Sequence, residues 1–369
     1  MTHTADVSGA TPVAPRRRLP RPRQLIGPGL SLLLIGVIFF YFLPKFTSIS
    51  AVWDAVQSMT WLEVTTLVLA AVWNLATYCF VMVATMPGLT YRQAAVATQT
   101  TTAVSNTVPG GGAIGIALSY AMFSSWGFSR SRTSVSQVLA GLWNNFVKLG
   151  MPVLALALLA FSGKPSGGRL IAGVLGVLGL GAAIVVFGLL LHSDRTARGL
   201  GVWAGRVASR VLRVFHRPAV HGWELATTKF RKRTSLLLHA RWHWLTLATL
   251  VSHFSLFLVL LLALRHVGVS EREVSWIEVL ALFAFARLLT AIPFSPGGLG
   301  IVELTLITGL SAAGGDRAQV AAAVLIYRAL TYVLPIPLGL LTYIFWRRNR
   351  SWRREPNGAP RTHLVPEAA

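Results

Sequence analysis

The chain has 369 residues, of which 54% are hydrophobic and only 12% are charged. A soluble domain carries about twice that charged fraction, so the composition excludes an ordinary soluble protein and predicts an all-α polytopic membrane protein. The 34 basic residues outnumber the 12 acidic ones and give a formal net charge of +22, which we attribute to basic cytoplasmic loops rather than to nucleic-acid binding.

The chain begins with a basic tail and two predicted spans. Residues 1–24 are rich in Pro, Thr and Ala and carry five arginines, which predicts a disordered cytoplasmic tail. Residues 25–43 form the first apolar stretch, and residues 61–84 form the second. Each is long enough to cross the hydrocarbon core once, so the chain is predicted to leave the cytoplasm and to return to it.

The next apolar stretch is interrupted. Residues 93–108 are rich in small and polar side chains, Pro109–Gly112 break the helix, and residues 113–122 resume it. Arg130 and Arg132 follow at once. A single crossing would leave both arginines outside, so the charges favour a re-entrant hairpin that returns to the cytoplasmic side.

Two further predicted spans precede a long basic insert. Residues 136–161 are predicted to cross outward, and residues 170–191 to cross back. The insert covers residues 192–241 and contains arginines at helical spacing with apolar residues on another face. This pattern fits a basic amphipathic helix on an anionic leaflet, and a solvated loop is the open alternative. The arginines are Arg206, Arg210, Arg213 and Arg217.

The last third of the chain repeats the order of span, broken stretch and span. Residues 242–264 form a span, residues 276–313 a broken stretch, and residues 319–345 the last span. Within the broken stretch, Pro293–Gly298 supply two prolines and two glycines, which no straight helix accommodates. Whether this stretch is re-entrant or makes two short crossings stays open at this point. Residues 346–369 are predicted to form a basic cytoplasmic tail.

The two broken stretches lie in matching positions of two halves. The first half covers about residues 61–161 and the second about residues 242–345, within a membrane domain of residues 25–345. The flanking charges place the mouth of the first hairpin inside and that of the second outside, which predicts an inverted repeat. We therefore expect about six full transmembrane helices and two broken or re-entrant hairpins. In transporters this arrangement places the substrate site at the midplane.

Four charged residues are predicted to lie within the membrane: Arg287, Glu303, Arg328 and Lys148. Charges at that depth are costly and are usually paired or functional. A single carboxylate cannot balance two arginines and a lysine. One open interpretation is a structural ion pair. The other is that the leftover positive charge, beside the N–H groups of a glycine turn, binds a phosphate.

The predicted binding set adds tyrosines and both turns. Tyr327 and Tyr332 lie close to Arg328 in sequence and supply hydroxyl donors. The turns supply backbone N–H groups, which bind anions where they converge. The turn residues in this set are Asn106, Gly110, Gly111, Pro296, Gly297 and Gly298.

No sequence pattern for catalysis, nucleotide binding or metal binding stands out. The letters GGGAIG at Gly110–Gly115 match a dinucleotide pattern, but no strand is predicted before them. His239 and His243 lie four residues apart without an acidic third ligand. The single cysteine, Cys79, excludes a disulfide within the chain and a cysteine zinc cluster. We therefore predict a protein that is not an enzyme and that uses neither a cofactor nor a metal.

The second turn carries a resemblance to a known family. Pro293–Glu303 has the sequence PFSPGGLGIVE, with Arg287 upstream and Tyr327–Arg328 downstream. Together with the NTVPGG turn at Asn106–Gly111, these residues resemble the flippase-like family that includes the transmembrane region of lysylphosphatidylglycerol synthase, over roughly residues 25–348. The resemblance implies movement of a modified lipid between leaflets, beside or fused to a lipid-modifying enzyme. The sequence ends 24 residues after its last predicted span, so lysyl transfer is not expected of it.

Two functions stay open on this basis. The first is a translocase for an anionic phospho- or prenyl-phosphate lipid, with Arg287 and Arg328 binding the phosphate and Glu303 orienting them. The second is a non-transporting subunit that anchors or presents lipid to a separate glycosyl- or aminoacyl-transferase. We expect a multi-pass protein of the cell membrane with cytoplasmic termini and an anionic lipid partner, without nucleic acid, and we leave a homo-oligomer open.

Overall fold

The computed structural model of the chain describes residues 49–108, 110–161, 167–192, 223–290 and 296–354, and the single residues 199, 202 and 206. The predicted tail at residues 1–24, the predicted span at 25–43, Pro109, residues 291–295, most of the predicted amphipathic helix and the chain beyond residue 354 lie outside the described residues. Within the described part, the regular structure is helical, apart from an isolated backbone bridge between Trp126 and Arg354.

The described part folds into helices that we number α1 to α11. They are α1 (Ile49–Ser58), α2 (Trp61–Thr85), α3 (Tyr91–Thr107), α4 (Gly111–Ser125), α5 (Arg130–Phe161), α6 (Gly167–His192), α7 (Trp223–Val267), α8 (Trp276–Leu289), α9 (Ile301–Ala312), α10 (Arg317–Arg328) and α11 (Pro335–Arg348). A 3-10 turn at Pro296–Gly298 precedes α9, and a π-helical turn at Ala329–Val333 joins α10 to α11.

Several of these helices are suited to a bilayer. By length and composition, four helical stretches of the described residues can cross a membrane, and shorter apolar helices accompany them. The four are Trp61–Thr85, Arg130–Phe161, Arg231–Val267 and Arg317–Arg348. The prediction of an all-α, multi-pass membrane protein is therefore confirmed.

Helix α7 is longer than the predicted span. It begins at Trp223, whereas the sequence predicted a span only from residue 242. Its 45 residues contain neither Gly nor Pro, so no local signal ends the helix where the basic residues begin. The C-terminal part of the predicted basic insert is thus helical and continuous with the span.

Helices α2 and α7 pack side by side and run antiparallel. Thr66, near the start of α2, lies 2.9 Å from the ring nitrogen of His266, near the end of α7. At the other end, Arg241 donates to the carbonyl of Val83 at 3.4 Å. These helices open the two predicted halves of the chain, so their opposite directions are what an inverted repeat requires.

The first broken stretch is a re-entrant hairpin, as predicted. Met86 and Leu89, just before α3, share one apolar cluster with Phe123 and Trp126 at the end of α4. The hairpin of α3 and α4 therefore enters and leaves the bundle at the same end. That end is where α2 finishes.

The second broken stretch is also re-entrant, which settles the alternative that the sequence left open. A Cβ atom on Gly314, which follows α9, would lie 2.9 Å from the carbonyl oxygen of Glu273, which precedes α8. Arg265, near the end of α7, donates to the carbonyl of Val274 at 2.9 Å. The hairpin of α8 and α9 thus opens at the end where α7 finishes, opposite to the mouth of the first hairpin.

Each hairpin packs against the last span of the other half. Helix α3 lies along α11, and α8 lies along α5. Exchanging the two halves interchanges these two contacts, so the packing has the two-fold character of a repeat. Gly339 of α11 allows the closest approach, because a Cβ there would lie 2.3 Å from the Cβ of Ala103 and 2.4 Å from the carbonyl oxygen of Gln99.

Replacing Gly339 with Ala should push α11 away from α3 and lower the free energy of unfolding by about 1–3 kcal/mol, as overpacking does elsewhere. Thermal unfolding in detergent measures this effect. Gly141→Ala is the matched control, because a Cβ at Gly141 meets no atom within 4 Å. A Gly339→Ala protein as stable as the Gly141→Ala protein would contradict the close packing described here.

Candidate functional site

The tips of the two hairpins meet inside the bundle. The side-chain amide of Asn106, near the end of α3, donates to the carbonyl of Tyr332 at 3.0 Å. The Tyr332 hydroxyl donates in return to the carbonyl of Asn106 at 2.5 Å. Gly297 of the second turn lies against the same pair, since a Cβ there would be 3.0 Å from Asn106 Oδ1. Because the hairpins enter from opposite ends, this contact places both helix breaks deep in the bundle.

The first turn needs glycine for steric reasons. Helix α3 ends at Thr107, and Gly110 has a φ of 70° directly before α4. At Gly111 a Cβ atom would lie only 2.2 Å from the carbonyl oxygen of Val104. Gly110 and Gly111 therefore act through backbone conformation and close packing of α4 on α3.

The second turn combines positive φ angles with tight contacts. Gly297 has a φ of 57° and Gly298 a φ of 70° within the 3-10 turn that Pro296 begins, and Gly300 follows with 83°. A Cβ on Gly297 would lie 2.4 Å from Cε2 of Tyr332. These angles are easily reached only by glycine, and they separate α9 from the preceding helix.

A π-helical turn, which sequence reasoning did not predict, presents Tyr332 to both hairpins. The Leu334 amide donates to the carbonyl of Ala329 at 2.9 Å, five residues earlier. The wider turn follows Arg328 directly and precedes Pro335, which has no N–H to donate. Such turns occur often at functional sites. The available signal was Pro335 inside an apolar run, but proline marks a break without specifying its geometry.

Arg328 and Glu303 form a buried ion pair. Arg328 Nε donates to Glu303 Oε1 at 2.6 Å. Glu303 Oε2 also accepts from the amide of Gly300 at 2.7 Å. The two residues are 9% and 6% exposed. Glu303 therefore neutralises Arg328, and its second carboxylate oxygen stabilises the start of α9. Both interpretations of the sequence required this pairing of Glu303 with an arginine.

Arg328 connects this pair to the turns. Its guanidinium lies over the ring of Tyr332, with 4.3 Å between Cζ and the ring centroid, a cation–π contact. Its Nη2 donates to the carbonyl of Gly297 at 3.4 Å. Since Tyr332 also bonds to Asn106, the contacts run without interruption from Glu303 to the first hairpin.

Arg287 and Lys148 supply the predicted surplus of positive charge. Lys148 of α5 is 8% exposed, and Arg287 lies in the last turn of α8. Lys148 and Arg287 are close enough for their positive charges to repel each other, and so are Arg287 and Arg328. Among the described residues, neither forms an ion pair with a carboxylate, and the Nε atom of Arg287 is buried without a hydrogen-bond partner.

Three further side chains line this region. Tyr327, one of the predicted site residues, is 2% exposed and lies close enough to Arg287 for the arginine's charge to act on it. His253 of α7 and Tyr78 of α2 also interact electrostatically with Arg287, and sequence reasoning assigned neither of them to the site. The available signal was a single polar side chain in an apolar span, which by itself does not say what the side chain contacts.

The arrangement suits the binding of an anion. Among the described residues, Arg287 and Lys148 have no carboxylate partner, and both arginines lie close to the helix breaks. Guanidinium groups bind phosphate with directed hydrogen bonds. Within the part of the chain that the structure describes, no three His, Cys, Asp or Glu side chains are placed to hold a metal ion.

Comparison with known proteins gives a family match. The family model described as "Lysylphosphatidylglycerol synthase TM region" matches residues 29–339, which include both hairpins. The "Phosphatidylglycerol lysyltransferase" of Staphylococcus haemolyticus (strain JCSC1435) is 28% identical over 97 residues. That alignment covers 26% of this chain and 12% of the lysyltransferase, so the chain corresponds to a small part of that relative's length.

Proposed function

Because this chain belongs to the family of the lysylphosphatidylglycerol synthase TM region, we propose that it translocates an anionic phospho- or prenyl-phosphate lipid between the two leaflets of the cell membrane. The observation that carries the proposal is the meeting of two opposed helix breaks beside three basic residues, Arg287, Lys148 and Arg328. Among the described residues, only Arg328 of these three has a carboxylate partner, which is Glu303. An uncompensated positive charge at this depth is costly unless an anion accompanies it.

In the proposed mechanism, the headgroup moves past the hairpin tips while the acyl or prenyl chains stay in the lipid. Arg287 and the free guanidinium N–H groups of Arg328 bind the phosphate. Glu303 keeps Arg328 oriented, and Tyr332 couples its position to Asn106 of the other hairpin. The sequence shows no GxxxxGK[ST] motif, so we propose that a gradient, or consumption of the lipid on one side, drives net movement.

We also propose that both termini are cytoplasmic. Arg132, Arg241 and Arg354 contact the backbone of one end of the bundle, and basic residues near spans favour the cytoplasmic side. Protease added outside sealed cells should therefore leave an epitope tag after Ala369 intact. Cleavage of that tag in sealed cells would reverse the orientation.

Reconstitution tests the translocation directly. Vesicles that contain the purified protein and a fluorescent phosphatidylglycerol or phosphatidic acid should exchange that lipid between leaflets faster than protein-free vesicles do. The zwitterionic phosphatidylcholine analogue is the control and should show no acceleration. Absence of acceleration for every anionic lipid would contradict translocation, and a transferase that co-purifies in equal amount would then favour the role of a lipid-presenting subunit.

A further inference from the structure

Lys148, Arg287 and His253 form a cluster beside the Arg328–Glu303 pair. They lie on three different helices, α5, α8 and α7. Lys148 is 8% exposed and His253 is 3% exposed. Phe257 of α7 packs against Phe283 of α8 with 5.8 Å between the ring centroids, and His253 and Arg287 lie one helical turn further along these two antiparallel helices. Helix α5, which carries Lys148, packs against both helices, and the charges of Lys148 and Arg287 act on His253. The three residues therefore lie in one region of the interior.

The cluster offers polar atoms that lack partners within the described residues. Arg287 Nε and His253 Nε2 are both buried there without a hydrogen bond. His253 Nδ1 is 3.0 Å from the carbonyl oxygen of Thr249. A carbonyl can only accept, so Nδ1 carries the proton, and Nε2 of the neutral ring is left as an acceptor. The cluster therefore combines two cations with one free acceptor.

The formal charges of the whole region indicate how much negative charge a ligand should carry. Arg287, Arg328 and Lys148 carry three positive charges, and Glu303 carries one negative charge that already pairs with Arg328. Two positive charges remain without a carboxylate among the described residues. Buried charges are normally compensated, and a ligand with one negative charge would leave half of this excess unbalanced.

We propose that Lys148, Arg287 and His253 form a subsite for a dianionic phosphate, so that the protein binds a lipid phosphomonoester or diphosphate in preference to a phosphodiester. This inference rests on the proposed function. A phosphomonoester carries about −1.5 to −2 charges at pH 7, which matches Lys148 and Arg287 together. The fraction of the phosphomonoester that keeps one proton carries one negative charge less and instead donates its P–OH group to Nε2 of His253. A phosphodiester offers neither the second charge nor this proton.

The subsite is tested by comparing the binding of two lipids that have the same acyl chains and different headgroups. The protein is placed in phosphatidylcholine nanodiscs and titrated at pH 7.5 with dioleoyl phosphatidic acid, a phosphomonoester, and with dioleoyl phosphatidylglycerol, a phosphodiester. We expect roughly tenfold tighter binding of the phosphomonoester, the effect of one additional charged hydrogen bond. Lys148→Met should remove this preference, and Lys148→Arg, which keeps the charge, should retain most of it.

Two controls protect the interpretation. Arg350→Gln removes an exposed positive charge outside the cluster and should leave the preference unchanged. Lys148→Met removes a buried charge without a carboxylate partner, so its thermal unfolding temperature should be at or above that of the unchanged protein.

Inorganic phosphate should fail to displace the lipid. Displacement at equal concentration would assign the cluster to the free ion and overturn the lipid proposal.

The outcomes separate this inference from translocation itself. Equal affinity for the two lipids, or a preference that Lys148→Met leaves intact, overturns the subsite even when leaflet exchange is observed. A preference that depends on Lys148, found without exchange of either lipid, supports the subsite and contradicts translocation.

Discussion

Replacing Arg328 with Gln should abolish lipid exchange and lower the free energy of unfolding by about 3–5 kcal/mol, the usual effect of removing one partner from a buried ion pair. The change removes the guanidinium whose Nε lies 2.6 Å from Glu303 Oε1, so the Glu303 carboxylate stays buried without a charged partner. It also removes the contacts of Arg328 to Tyr332 and Gly297. Leaflet exchange in vesicles and thermal unfolding in detergent measure the two effects separately.

The double variant Arg328→Gln and Glu303→Gln separates folding from transport. Removing both charges should restore part of the lost stability, because no unpaired carboxylate remains buried. Exchange should stay absent, because the phosphate still lacks the guanidinium of Arg328. A double variant that exchanges lipid at the normal rate would show that the pair serves only to hold the fold.

Gly297→Ala should disconnect the hairpin tips and lower exchange strongly. Its Cβ would lie 2.4 Å from the Tyr332 ring, so the ring must shift, and the hydrogen bonds to Asn106 shift with it. We expect a loss of about 1–3 kcal/mol from the steric conflict, added to about 1–2 kcal/mol for alanine in the left-handed region. Exchange and unfolding are measured as for Arg328.

Gly88→Ala is the matched control for this change. Gly88 has a φ of 87°, and a Cβ there meets no atom within 4 Å, so the substitution carries the backbone strain without the steric conflict. It should lose only the smaller amount of stability and keep normal exchange. Equal behaviour of the two variants would mean that contact between the hairpin tips is not required.

The sequence predicted the hairpins well because their signals are local. Proline and glycine runs inside apolar stretches can be identified without tertiary information, and so can the charge of Glu303 in an apolar helix. The resemblance then connected the second turn with Arg287 and Arg328. The re-entrant nature of the second hairpin did not follow, because charges on the flanking loops fit one re-entrant pair or two short crossings equally well.

What the sequence could not predict depends on packing between helices. The central role of Tyr332 arises from the π-helical turn, whose five-residue hydrogen bond forms where the turn packs against α2, α10 and α11. His253 joins Lys148 and Arg287 only because α5, α7 and α8 converge. Helix α7 begins before the predicted span, because the basic residues up to Arg241 predict a cytoplasmic insert, whereas the helix continues through them without Gly or Pro.

Water access at the hairpin tips tests the central claim most directly, namely that a polar headgroup moves past the two breaks where they meet, because such a path must admit water. In a background where the single cysteine is removed by Cys79→Ala, Thr107→Cys places a thiol at an exposed position beside the first turn, and Leu178→Cys places one on the outer surface of α6. A charged, water-soluble maleimide needs the thiolate, so the thiol at position 107 should react at least about tenfold faster than the one at position 178. Equal and slow labelling of both thiols would show a dry interior at the breaks and would contradict the account.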